Sequence, residues 1–390
     1  MKQGWEYKKL GEVCTIERGG SPRPITDYIT DSEDGINWIK IGDAQEGSKY
    51  ITSTKEKIRP EGIKKSRFVH KGDFILSNSM SFGRPYILKV DGCIHDGWLV
   101  IHDDNEVFIK DYLYYILSSS IMYAKFSQLA VGGMVNNLNS SLVRKVAIPI
   151  PPKSTQLSIV SELDKINELI RLKKEQLKDY DNLAQSIFYE MFGDPVENEK
   201  GWEVKKLGEV CTIERGSSPR PITAYITDSK DGINWIKIGD AQEGSKYITS
   251  TKEKIKPEGL KKSRFVHKGD FILSNSMSFG KPYILKIDGC IHDGWLVIHD
   301  NNNVFIKIYL YYLLASSIMY AKFSKLAVGG VVNNLNSSLV RKVDVSIPPL
   351  PLQHLFAQRI EQIEHQKSEV TKAITDLETL LASRMQHWFE

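Results

Sequence analysis

The sequence predicts an α+β protein: two mixed α/β domains separated by a long antiparallel two-helix coiled coil, with pseudo-two-fold symmetry. Three observations predict it. Residues Trp5–Pro151 recur as Trp202–Pro348 at a constant offset of 197, differing at 18 of 147 aligned positions. Each copy alternates short β-like runs with a Tyr- and Leu-rich stretch of helical character. Each copy is then followed by a long segment with apolar residues at alternating four- and three-residue spacing. A period of 197 residues is a duplicated domain, not a solenoid repeat. Such near identity gives both copies one fold and one ligand, but it does not mark functional positions, because neutral positions have not diverged either.

The first domain is expected over residues 1–149. Gly35–Ile41, Gly72–Ser77, Pro85–Val90 and Gly97–His102 read as strands bounded by turn residues. Ile109–Leu129, free of Gly and Pro, reads as one or two helices. The prolines of Ile148-Pro-Ile-Pro-Pro152 stop the domain. A spacer helix and linker then occupy residues 150–197. On the helix, Ile159, Leu163, Ile166, Ile170, Leu177, Tyr180, Ala184, Ile187 and Met191 form the stripe, interrupted at Lys173. Gly193-Asp-Pro breaks the helix. The second domain spans 198–346, and its spacer helix 347–390. There the stripe is Phe356, Ile360, Ile363, Val370, Ile374, Leu377, Leu381 and Trp388, interrupted at Lys367 and Arg384. The interrupting cations are expected to snorkel or pair at the stripe's edge. Helices of this length span roughly 57 Å at about 1.5 Å per residue. Antiparallel pairing returns the second helix to the first domain. A helix packed on its own domain is the competing reading.

Composition narrows the function classes. The net charge of +4 and pI near 8.6 permit a nucleic-acid partner without requiring one. No apolar run is long enough to span a bilayer, and the N-terminus lacks an apolar signal core, so a cytoplasmic protein with no membrane partner is expected. Cys14, Cys93, Cys211 and Cys290 form no Cys-x-x-Cys pair and read as reduced core residues, not metal ligands.

The search for chemistry yields no catalytic residues, no metal site and no cofactor. There is no Asn- or Asp-Pro-Pro-Tyr tetrapeptide, no glycine-rich cofactor turn after a strand, no phosphate-binding loop and no Gly-x-Ser-x-Gly elbow. Glu6-Tyr-Lys8 has a nuclease-like look, but no acidic residue precedes it. His95-Asp96 and His102-Asp103 read as satisfied structural histidines. The remaining signal is for DNA. Arg forks match guanine, and Asn amides match adenine. Base-reading candidates therefore lie in three loops: Arg18, Ser21 and Arg23; Asn78 and Ser79; Asn136, Asn137 and Asn139. Their second-copy equivalents are Arg215, Ser218, Arg220, Asn275, Ser276, Asn333, Asn334 and Asn336. The glycines of these loops are expected to allow close approach to a duplex. Phosphate candidates are Lys55, Lys57, Lys64, Lys65, Arg67 and Arg84, with Lys252, Lys254, Lys261, Lys262, Arg264 and Lys281. The Arg84/Lys281 difference favours phosphate over base at that site, because the two cations are not interchangeable on a base edge. Ordinary turns and a solvated face of mixed charge are the plain alternatives.

The order of these features resembles the specificity subunits of Type I restriction–modification enzymes, over essentially the whole chain. The resemblance rests on the Trp-led charged openings at Gly4–Glu12 and Gly201–Glu209, the Gly-Gly-Ser-Pro loop at 19–22 with Gly-Ser-Ser-Pro at 216–219, and Ile36-Asn-Trp-Ile39. Further carriers are the Lys71-Gly-Asp73 turn, Gly132-Gly133 followed by Leu138, Ile150-Pro-Pro with Gln156, Ile347-Pro-Pro with Gln353, and the helix ends at Ser186–Phe192 and Ser383–Phe389. The resemblance implies target recognition domains that each read half of a bipartite site on double-stranded DNA. It implies spacer helices that dock two methyltransferase (M) subunits, with restriction (R) subunits joining through them, and a chain that is not itself an enzyme. It departs from the family pattern in the near identity of the two domains, from which an interrupted palindromic target is expected. A non-DNA adaptor with duplicated domains on a coiled-coil rod is the reading from a different class.

Overall fold

The computed structural model describes all residues except 1, 3, 46, 79–82, 131–137, 243, 276–279 and 328–334. The chain divides into two units: Met1–Lys174 with Lys372–Glu390, and Glu175–Thr371. Each unit holds one copy of the duplicated domain and parts of both long helices, Lys153–Phe192 and Leu350–Phe389.

In the first unit the strands are β1 (Glu6–Lys9), β2 (Thr15–Arg18), β3 (Ile29–Thr30), β4 (Ile36–Ile39), β5 (Tyr50–Ile51) and β6 (Glu56–Ile58). They continue with β7 (Arg67–Val69), β8 (Phe74–Ser77), β9 (Pro85–Leu88), β10 (Gly92–Ile94), β11 (Trp98–His102) and β12 (Ala147–Ile150). One sheet has the order β3-β6-β4-β10-β7 and a second β2-β11-β8-β9-β5. The helices α1 (Leu10–Val13), α2 (Lys110–Ser118), α3 (Ser120–Ala130) and α4 (Ser140–Val143) lie with the second sheet. The Ile109–Leu129 stretch is thus two helices, broken at Ser119, whose hydroxyl donates to the Ile116 carbonyl.

Period-two alternation explains the layers. On β8 and β11, Ile75, Trp98 and Val100 face the first sheet, where they pack with Ile39, Val69 and Ile94. Phe74, Leu76, Leu99 and Ile101 face the other way, into a core shared with α2, α3 and the start of the first long helix. Strands buried on both faces carry continuous apolar runs, which is why Phe-Ile-Leu-Ser and Trp-Leu-Val-Ile are legible as strands. Less legible is β1. Its charged sequence, Glu-Tyr-Lys-Lys, is exposed, and it exists because it pairs antiparallel with β12, Glu6 opposite Ile150. The second unit repeats both five-stranded sheets and the closing pair.

The cysteines sit in the apolar cores as free thiols, and burial pushes the Cys14 thiol up to about 12. Buried Gln156 fixes the domain to its helix: its Oε1 accepts from the Ile109 amide (2.7 Å), and its Nε2 donates to the Val107 and Pro151 carbonyls. Gln353 repeats the junction.

The long helices meet each part of the chain differently. Ile159 and Leu163 are buried in the first domain's core, with Leu381 and Trp388 packed against it. Ala184 lies with Phe356, Ile360 and Ile363 in the second domain's core, and Ile187 and Met191 pack at its edge. Ile166, Ile170, Val370 and Ile374 are buried, whereas Leu177 and Leu377 are half-buried. In the first unit Arg384 pairs with Glu162, and Lys174 with Glu378 at 2.9 Å; in the second, Lys367 meets Asp181 at 2.6 Å. In both units the pairing therefore runs antiparallel. Lys367 and Arg384, the interruptions of the stripe, are both paired with acids on the other helix. The competing reading of helices packed on domains is also partly realised, because the helix ends complete the domain cores.

Candidate nucleic-acid interface

Two of the three predicted loops converge on one turn, His95-Asp96-Gly97, between β10 and β11. The Ser21 hydroxyl donates to Asp96 Oδ1 at 2.9 Å, and Arg23 Nη2 reaches Oδ2 at 3.5 Å. The main-chain oxygen of Asp96 accepts from Arg18 Nε (3.0 Å) and Asn78 Nδ2 (2.9 Å). The second unit repeats the cluster: Ser218 to Asp293 Oδ1 at 2.8 Å, Arg220 to Oδ2 at 3.4 Å, and Arg215 and Asn275 to the Asp293 carbonyl. Asn78 and Asn275 are buried, and the Oδ1 of each has no hydrogen-bond partner among the described residues.

At Gly19 and Gly216 a close approach is made to the protein itself. A Cβ on Gly19 would meet the His95 carbonyl oxygen at 2.3 Å, and Gly216 stands in the same relation to His292. The loop is thus pressed onto the turn that carries Asp96. Burial raises the cost of ionising Asp96, but the Ser21 hydroxyl, His95 and the two arginines outweigh it, and its carboxyl lies below the usual aspartate value. Burial lowers the pKa of His95. Its Nδ1 accepts from the Gly97 amide and its Nε2 lies 3.1 Å from Asp96 Oδ1, so the ring is satisfied locally.

Asn139 and Asn336 have local work as helix caps: each Oδ1 accepts from the amide three residues on, Leu142 and Leu339, at 3.0 Å. Leu138 donates its amide to the Asn78 carbonyl, which ties the third loop's end to the second loop. Ser79, Asn136, Asn137, Ser276, Asn333 and Asn334 lie outside the described residues.

The basic candidates divide by environment. Arg67 is engaged within the domain: its Nη1 pairs with Glu17 at 2.7 Å and its Nε donates to the Arg18 carbonyl, joining β7 to β2. Arg264 and Glu214 repeat this. Lys65 rests on Tyr28, with Nζ 2.6 Å from the hydroxyl; Lys262 does the same on Tyr225. Lys57 and Lys254 donate to the main-chain carbonyls of Glu33 and Lys230. Lys55, Lys64, Lys252 and Lys261 are exposed. Arg84 and Lys281 are exposed at a separate place, where Arg84 lines a recess of about 480 Å³ with Tyr86, Tyr114 and Tyr123. The cluster's organiser, Asp96, was not among the sequence candidates. Its only sequence signal is the pair His95-Asp96 before a buried strand.

Among the described residues, no helix is long and apolar enough to cross a membrane. The family model of the Type I restriction modification DNA specificity domain matches twice, over residues 2–179 and 199–379. The chain is similar to the Type I restriction enzyme MjaIX specificity subunit of Methanocaldococcus jannaschii, 26% identical over 263 residues, which cover 63% of this chain and 60% of that protein. It is also similar to the putative MjaX specificity subunit of the same organism, 24% identical, over 98% of this chain and 93% of that one. Among solved structures, a chain from work on the complex assembly and conformational transition of the type I R-M system superposes with a TM-score of 0.68 at 20% identity, covering 99% of this chain and 97% of that one, and so shares its fold. The protein therefore belongs to the Type I restriction–modification DNA specificity family, as a specificity subunit that carries the family's recognition domain twice.

Proposed function

We propose that this chain reads an interrupted palindrome on double-stranded DNA: one half-site, an unspecified spacer, then the reverse complement of that half-site. The observation that carries this reading is the duplication itself. The recognition domains differ at 18 of 147 positions, and the Arg–Ser–Asn cluster on Asp96 recurs on Asp293 with the same partners. Identical donors and acceptors at equivalent places prefer the same base pairs. The antiparallel pairing of the long helices within each unit supports inverted half-sites, as in symmetric readers of palindromes. Exposed lysines such as Lys55 and Lys64 supply sequence-independent phosphate attraction.

In this reading the chain has no catalytic centre, cofactor or metal of its own. Two methyltransferase subunits dock on the long helices, and the restriction subunits join through them. Exposed leucines on the helices, among them Leu169, Leu172 and Leu380, support that docking. In this reading the protein acts in the cytoplasm, where its DNA target lies. Methylome sequencing of cells carrying the complete system tests the reading. The expected motif has two halves that are reverse complements, with centres about 10 base pairs apart so that both domains meet one face of the duplex. Two unrelated half-sites would show that the domains do not read alike.

A further inference from the structure

We propose that the Arg23–Asp96 couple reads one G·C pair in its half-site, with the guanidinium donating to guanine O6 and N7 and the carboxylate accepting from the N4 amino group of the paired cytosine; Arg220–Asp293 does the same in the other half. The proposal rests on the recognition domains reading DNA. It adds which residues discriminate and which base pair they select.

The geometry assigns the two carboxylate oxygens different tasks. Oδ1 is occupied, by the Ser21 hydroxyl at 2.9 Å and His95 Nε2 at 3.1 Å. The contact to Oδ2 comes from Arg23 at 3.5 Å, the outer limit of a hydrogen bond. The Arg23 side chain is 82% exposed and that of Asp96 29%. Arg220 and Asp293 give 82% and 30%, with 3.4 Å between them. One oxygen is therefore anchored, and the other holds a loosely tethered, solvent-facing arginine. The main chain beneath is held from two sides, since Arg18 and Asn78 both donate to the Asp96 carbonyl. In the second unit the couple opens on a recess of about 790 Å³ lined also by Ser218, Trp235 and His292.

A carboxylate on a DNA-facing surface is repelled by phosphates, so its place there needs a compensating donor on the DNA. Base-edge amino groups are such donors. In the major groove a G·C pair presents acceptor, acceptor, donor: N7 and O6 of guanine, then N4 of cytosine. An arginine fork beside a carboxylate presents the complement in the same order. An A·T pair places its amino donor second, against the fork, and is rejected.

The test is the methylome of cells carrying the methyltransferase with this chain, wild type or altered in the first domain only. The wild-type motif tests the underlying reading: no motif at all sinks the DNA-reading assignment, not the couple. With Asp96→Asn, one G·C position in one half-site should relax about tenfold. The other half-site stays intact and reports that the chain has folded and assembled. Arg23→Lys, at an exposed side chain, should relax the same position. A motif unchanged by Arg23→Lys overturns the proposal, including where Asp96→Asn abolishes methylation altogether. Relaxation at an A·T position by either variant also overturns it.

Discussion

At the scale of single residues, Asp96 gathers the polar cluster: Ser21 and Arg23 bind its carboxylate, and Arg18 and Asn78 its main-chain oxygen. Arg18, Ser21, Arg23 and Asn78 were recognisable as a polar set because Arg and Asn suit base edges. Their common anchor was not, because Asp96 is 75 residues from Ser21 in the chain. Asn139, a base-reading candidate, also caps α4 with its side-chain oxygen, a role that Asn fills equally well. His102 lies with its Nδ1 3.7 Å from Asp73 Oδ1. The neighbouring Asp73 carboxylate raises the His102 pKa above the ordinary histidine value of 6.5, burial opposing it. Burial opposes ionisation of Asp73, but the nearby His102 ring and the His70 backbone amide at 2.8 Å outweigh it, and its carboxyl lies below the usual value. A raised histidine stabilises the fold fully below its unfolded pKa and loses that contribution as pH rises through the folded one. The stability difference between wild type and His102→Gln should therefore be larger near pH 6 than near pH 8.5, in urea titrations at about those values. Equal differences at both would show that the pair is not charged in the fold.

At the scale of elements, long periodic segments were legible and short paired ones were not. The helices announced themselves through many turns of apolar spacing, and β8 and β11 through apolar runs. β1 depends on a strand at the other end of the domain, with Glu6 opposite Ile150, so its own charged residues do not reveal it. The domain–helix junctions show how the copies have diverged without losing the fold. Lys49 pairs with Asp111 on α2, but the equivalent Lys246 pairs with Glu364 on the second long helix at 2.5 Å. Position 111 is matched by Ile308, and Glu364 by Asn167, so the acid has moved from the domain to the helix. Both lysines are largely buried, at 18% and 7% exposure, and each needs its acid. Asp111→Ile should destabilise the first unit by about 1 kcal/mol, between the exposed and buried limits for an ion pair. Adding Asn167→Glu should recover most of that loss, with a coupling of about 1 kcal/mol in a double-mutant cycle. Strict additivity would show that the lysine does not exchange partners.

Across the whole chain, contiguity in sequence and contiguity in space part company. The sequence suggested a domain followed by its own helix, twice. Antiparallel pairing of the helices brings the second back, and the first unit includes residues 372–390, the far end of the chain. Periodicity could identify both stripes but not which part of each would leave the helix pair to fill a domain core, since apolar residues serve either purpose. The consequence is a long-range dependence that can be measured. Phe389 is 7% exposed and packs against the Tyr112 ring with centroids 5.8 Å apart. Trp388 donates from Nε1 to Glu162 at 3.0 Å, and its carbonyl accepts from Lys2 at 2.7 Å. Deleting residues 380–390 therefore strips a wall from the first domain while removing nothing from the second unit. Loss of one buried aromatic costs about 3–5 kcal/mol, a large part of the stability of a domain this size. Hydrogen exchange of the truncated chain should show faster exchange in α2 and the start of the first long helix, with the equivalent second-domain peptides, Lys307–Ala315 among them, unchanged. Because the domains are near copies, the second is an internal standard for the first. Exchange accelerated in both domains alike, or in the second alone, would mean that the chain's last helical turns do not belong to the first domain.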